Sequence, residues 1–155
     1  MIAIRNYNTM FTSETKIRVR YAETDQMNIV YHGNYAQYFE VGRVEAIRQL
    51  GLSYKDMEAT GTIMPVVEWT AKFLRPAHYD DLLTVRTILK DLPLDHRIEF
   101  QQEVYNEHGK LLTVGKVLLY FLEANTMKKT GMPEELAKKL APYFQAATHP
   151  PATGD

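Results

Sequence analysis

The sequence predicts an α+β fold in which a long, curved antiparallel β-sheet wraps around one central α-helix. Three observations lead there. Residues 34–50 read as a helix too apolar for an ordinary surface position. From Ile63 onward the pattern changes to strands longer than the usual length of about five or six residues. The links between those strands are mostly of hairpin length, which suits antiparallel neighbours. A sheet curling around the helix buries both patterns together.

The first element is a strand over 14–21, where Ile17, Val19 and Tyr21 alternate with polar residues. Glu23, Thr24, Asp25 and Gln26 then end it in a polar turn. Asn34 stands before the central helix with Gln37 three residues on, the pattern of a capping box. Tyr35, Phe39, Gly42, Ala46 and Leu50 follow at spacings of three and four, and Gly51 supplies the usual residue beyond a helix C-terminus. Tyr31, Tyr35, Tyr38 and Phe39 are expected to pack in the core, and Gly42 to mark a close backbone approach. A short second helix is expected over 53–60, with Ser53 as its cap and Gly61 as its stop. A long strand over 62–75 accommodates Pro65 only at an edge or an irregularity. After a turn at 75–81 come strands over 82–89, 97–105 and 111–122. A terminal helix over 133–140 starts with Pro133 in its first turn.

The 155 residues suit one domain, read as 1–147 with a disordered tail at 148–155. Hydrophobic residues make up 45% of the chain and charged residues 24%, proportions of a soluble globular protein. The first residues lack the apolar core of a signal peptide, and no apolar run reaches membrane-spanning length, so a cytoplasmic setting is expected. A net charge of −1 argues against a general nucleic-acid binder. With no cysteine there is neither a thiol nucleophile nor a thiolate metal site. The five histidines lack metal-ligand spacing, Ser13 and Ser53 lack a nucleophile elbow, and the glycines form no phosphate-binding loop.

The chemistry concentrates just before the central helix. First-turn N–H groups and the positive end of the helix dipole suit a carbonyl oxygen that is gaining negative charge. Asp25 and His32 flank that seat in the chain. Taken alone, Asp25 also fits a turn or capping role, and His32 a structural hydrogen-bonding one.

The run Val19-Arg-Tyr-Ala-Glu-Thr-Asp25-Gln-Met, then Val30-Tyr-His32-Gly-Asn34-Tyr-Ala-Gln-Tyr-Phe39-Glu40, and later Phe73-Leu-Arg-Pro76-Ala-His-Tyr-Asp-Asp81 resembles the hotdog-fold acyl-CoA thioesterases, in particular the 4-hydroxybenzoyl-CoA thioesterase-like group. The likeness covers about residues 14–124. It implies a hotdog fold, an acyl-CoA substrate, Asp25 as the catalytic carboxylate and the His32 backbone N–H as the group polarising the thioester carbonyl. Tyr31, His32, Gly33 and Asn34 are the implied substrate-binding turn. No cofactor is implied, coenzyme A entering as part of the substrate. A homodimer, or a homotetramer of two dimers, follows by the same resemblance, because the family's site lies between protomers. Asn28 departs from the glycine usual in the family, but Asn tolerates a positive φ better than most residues.

A thioester asks little of its catalyst, because a thiolate with a pKa of about 8.5 leaves without being protonated. Asp25 as nucleophile or as general base, with an electrophilic helix start, then suffices. The His32 side chain could orient Asp25 or water. Glu40 is a second carboxylate near the site, read more simply as a partner of Arg43 or Arg48. Lys72, Arg75, Arg86, Lys90 and Arg97 are candidates for coenzyme A phosphates, though strand-face charges are usually just solvated. Two other readings use the same fold: a non-hydrolytic module binding acyl-CoA or acyl carrier protein, motivated by Asn28, and a dehydratase or hydratase, whose Asp and His would need a different placement.

Overall fold

The computed structural model describes residues 10–144. The ends of the 1–147 domain and the 148–155 tail lie outside them. Strand β1 (Phe11–Arg18) precedes the long helix α1 (Tyr35–Gln49) and the short helix α2 (Tyr54–Ala59). Then come β2 (Thr62–Ile63), β3 (Val66–Phe73), β4 (Leu82–Leu89), β5 (Arg97–Tyr105), β6 (Leu111–Tyr120), β7 (Leu122–Glu123) and helix α3 (Glu134–Leu140). Five strands form one antiparallel sheet in the order β1-β4-β5-β6-β3, and β2 pairs with β7 in a small second sheet.

Helix α1 packs on one face of the large sheet, against β1, β4 and β5. Tyr38, Phe39, Ala46 and Ile47 enter a core completed by Leu83, Val85, Ile98, Phe100, Val104 and Val117. Gly42 is what lets the helix come so near: a Cβ there would stand 2.6 Å from Val85 and 2.9 Å from both Gln102 and Thr87. At that contact Arg43 is buried and donates to Gln102 Oε1 at 3.1 Å, while Gln102 Nε2 donates to the Phe39 carbonyl and to Thr87. These bonds join the two layers at a polar contact, although Arg43 Nε is buried without a partner among the described residues. Arg48 pairs with Glu45, and among the described residues Glu40 has no ion pair with Arg43 or Arg48. The simple ion-pair role read for Glu40 is thus corrected.

Several boundaries differ from those the sequence predicts. Strand β1 lies earlier than 14–21. Past Arg18 the chain hydrogen-bonds to Asp80 and Asp81 and turns away, so Tyr21 opens a 3-10 turn (Tyr21–Glu23) with 79% of its surface exposed. The 62–75 strand is split at Met64-Pro65 into β2 and β3, which join different sheets. Residues 75–81 are no hairpin turn. They carry the chain from β3 at one edge past β6 and β5 to β4, pinned where Leu74 and Arg75 N–H reach the Leu112 carbonyl and where Val30 N–H reaches Ala77. Ser53 caps α2 as expected, accepting from Asp56 N–H at 3.0 Å. Among the described residues no helix is long and apolar enough to cross a membrane.

Candidate active site

Asp25 stands at the base of a small loop closed by a bridge between Thr24 and Val30. Asp25 N–H reaches the Ile29 carbonyl at 2.9 Å, and Asn28 N–H reaches the Asp25 carbonyl at 3.0 Å. Met27 N–H donates to Asp25 Oδ1 at 2.8 Å, the side-chain turn that Asp favours. This aims the carboxylate and leaves Oδ2 without a partner among the described residues. Asn28 takes φ +62°, the left-handed conformation that glycine adopts most readily and asparagine tolerates, so the turn is made with asparagine in that place.

His32, Gly33 and Asn34 form a 3-10 turn that runs into α1. The backbone N–H groups of His32 and Gly33 stand at its start and have no acceptor among the described residues. The capping box expected at Asn34 is absent. Asn34 is already helical, and its side chain donates backward, Nδ2 to the Glu23 carbonyl at 2.8 Å. Tyr31 is half exposed and not a core residue. Its ring lies over Gly33, where a Cβ would approach Tyr31 Cε1 to 2.7 Å, which only glycine avoids. The His32 ring packs 4.4 Å from the Tyr31 ring and 6.3 Å from that of Phe73, and forms no hydrogen bond with Asp25 among the described residues.

Asp25 and His32 line one cleft of about 390 Å³. Its walls are chiefly apolar, with Met27 and Ile29 from the Asp25 loop, Tyr35 from α1, and Phe73, Leu74 and Pro76 from the end of β3 and the crossing segment. Arg75 is the one cation on the wall, held by donation to the Leu111 carbonyl at 3.0 Å. Gly33, Asn34 and Tyr31 do not line the cleft but shape the turn behind it. Glu40 does not reach it either. Burial first, and then the nearby Glu23 carboxylate, push the Tyr38 phenol well above its usual range, and burial raises Tyr35 as well. Among the described residues no three His, Asp or Glu side chains gather as a metal site.

Sequence reasoning missed Glu23, Phe73 and Ala77. Glu23 was legible only as part of a polar turn, although a carboxylate two positions from Asp25, next to the apolar Ala22, was a signal available in the chain. Phe73 and Ala77 reach the site through sheet topology, which local patterns do not encode.

Comparison with known proteins bears on this arrangement. The family described as the thioesterase-like superfamily matches residues 19–140. YneP of Bacillus subtilis, named as a candidate acyl-CoA thioesterase, is 42% identical over 102 residues, covering 66% of this chain and 73% of that protein. A DHNA-CoA thioesterase from Staphylococcus aureus has a solved structure of 36% identity and TM-score 0.74, covering 85% of each chain. A 4-hydroxybenzoyl-CoA thioesterase structure, 18% identical with a TM-score of 0.75 over 83% of this chain and 98% of that one, shows likeness of fold alone. The family match takes in the Asp25 loop, the turn before α1 and the whole sheet except β1, and the chain belongs to the thioesterase-like superfamily with its hotdog fold.

Proposed function

We infer that the chain hydrolyses acyl-CoA thioesters to a free acid and coenzyme A. It is a thioester hydrolase by family, and the acyl-CoA substrate is supported by the names its relatives carry. The observation that supports the mechanism is the meeting, in one chiefly apolar cleft, of Asp25 with His32, whose backbone N–H has no acceptor among the described residues. The thioester carbonyl oxygen takes the His32 N–H, which strengthens its hold as the oxygen becomes an oxyanion. Asp25 acts on the carbonyl carbon, as nucleophile to form a mixed anhydride that water then opens, or as general base drawing a proton from attacking water. The coenzyme A thiolate leaves, and no cofactor takes part.

The reading includes a homodimer. Strand β3 is an edge strand with Val66, Val67 and Phe73, and Leu74 just beyond it, each more than 40% exposed, and its end forms a wall of the cleft. A second copy against β3 would cover that edge and close the cleft. A homotetramer of two such dimers, an acyl carrier protein as acyl donor and a cytoplasmic setting belong to the same proposal. The binding-module reading loses its motive, since Asn28 adopts the conformation the turn requires.

The test is thiol release from a panel of aliphatic and aromatic acyl-CoAs by the full chain. Turnover above the uncatalysed rate on at least one member is expected. Tight binding of acyl-CoA without any turnover on the panel would overturn the hydrolase reading.

A further inference from the structure

Among the described residues, Glu23 is the only buried carboxylate. Burying a carboxylate is costly unless hydrogen bonds replace its water. Glu23 has them: Oε1 accepts from Arg20 N–H at 2.8 Å and from the Tyr38 hydroxyl at 3.1 Å, and Oε2 from Arg20 Nη2 at 3.2 Å. Its main-chain carbonyl accepts from Tyr31 N–H at 2.9 Å and from Asn34 Nδ2 at 2.8 Å. Three of these donors, Tyr31, Asn34 and Tyr38, bracket the turn that presents the His32 and Gly33 N–H groups. In the other direction the chain reaches Asp25 two residues on.

Building on the thioesterase reading, we propose that Glu23 is the positioning residue of the site, setting the reach between the Asp25 carboxylate and the oxyanion-binding N–H of His32. The two halves of the site lie on separate segments, and Glu23 is hydrogen-bonded to one and stands two residues along the chain from the other. It touches no reacting atom: removing its side chain cuts the Tyr38 bond while its main-chain carbonyl still holds Tyr31 N–H and Asn34 Nδ2, so the halves shift without either being removed. A misplacement of about 1 Å in such a pair costs on the order of a hundredfold in rate.

The experiment compares Glu23→Ala, Glu23→Gln and Asn34→Ala with wild type at matched folded concentration, reading kcat, KM and the pH profile of kcat. Glutamine keeps the acceptor used by Arg20 N–H and Tyr38 and gives up only the exposed contact to Arg20 Nη2. Glu23→Gln is therefore expected to keep kcat within about threefold and the acidic limb of the pH profile in place. Glu23→Ala is expected to lose about tenfold or more in kcat with KM little changed, and Asn34→Ala about fivefold. Wild-type kcat in folded Glu23→Ala overturns the proposal. Should that variant not fold, wild-type kcat in Asn34→Ala does so. Disappearance of the acidic limb in Glu23→Gln also overturns it, because Glu23 would then be the acid–base group itself. Asp25→Asn is the control: if wild type turns over and Asp25→Asn does not, while Glu23→Ala and Asn34→Ala keep kcat, the positioning role fails and the hydrolase reading stands. A wild type without turnover removes both.

Discussion

Asp25 and Asn28 show how much of the proposed site is a matter of single dihedrals and hydrogen bonds. Met27 N–H fixes one carboxylate oxygen of Asp25, and the positive φ of Asn28 closes the turn that makes this possible. Asn28 is exposed, so its replacement tests backbone conformation with little packing change. Asn28→Gly is expected to leave stability within a few tenths of a kcal/mol, whereas the β-branched Asn28→Val is expected to cost about 1–2 kcal/mol, both read by urea denaturation. Equal stability of the two would contradict the role assigned to this φ. At this scale the sequence was legible where the structure is local, as at the polar turn over 23–26 and at the Ser53 cap. Asn34 was not. A capping residue and a residue donating to a carbonyl eleven positions earlier have the same local pattern, and only the packed Glu23 turn separates them.

Helix α1 brings three constraints together: a buried apolar face, a free N-terminal turn, and tyrosines whose hydroxyls are out of water. Its apolar spacing made its place as the central helix readable from sequence, and the strand lengths did the same for β4, β5 and β6. What the pattern could not supply was pairing across the sheet. The 75–81 segment has the composition of a turn yet runs from one edge strand to the far side of the sheet, and in doing so brings Pro76 to the cleft and Ala77 to Val30. The tyrosines give the element a pH signature. Tyr38 and Tyr35 titrate above their ordinary value of 10.0 in the folded chain, Tyr38 through burial and then Glu23. A raised folded value contributes stability that is complete below pH 10 and is lost as pH rises toward the folded value, because the unfolded phenol ionises first. Stability is expected to fall between pH 10 and 11 by about 1 kcal/mol for such a group, and Tyr38→Phe to flatten that slope. Chemical denaturation at several pH values checks it, and an unchanged slope in Tyr38→Phe would contradict the assignment.

For the whole molecule, the account joins a sheet with an uncovered apolar edge to a cleft that the same edge helps to build. In a two-fold dimer any substitution in β3 occurs twice across the interface, so Val67→Lys places two added cations near the axis. It is expected to shift the protein from dimer toward monomer at micromolar concentration, seen by light scattering, and to lower turnover in parallel. A fully active wild-type monomer would contradict the shared site. The most direct measurement is kcat of Asp25→Asn on the acyl-CoA that wild type hydrolyses fastest, with fold and assembly matched. A loss of about a hundredfold or more is expected, with substrate still bound. Turnover equal to wild type would contradict it, removing Asp25 from the chemistry of this cleft.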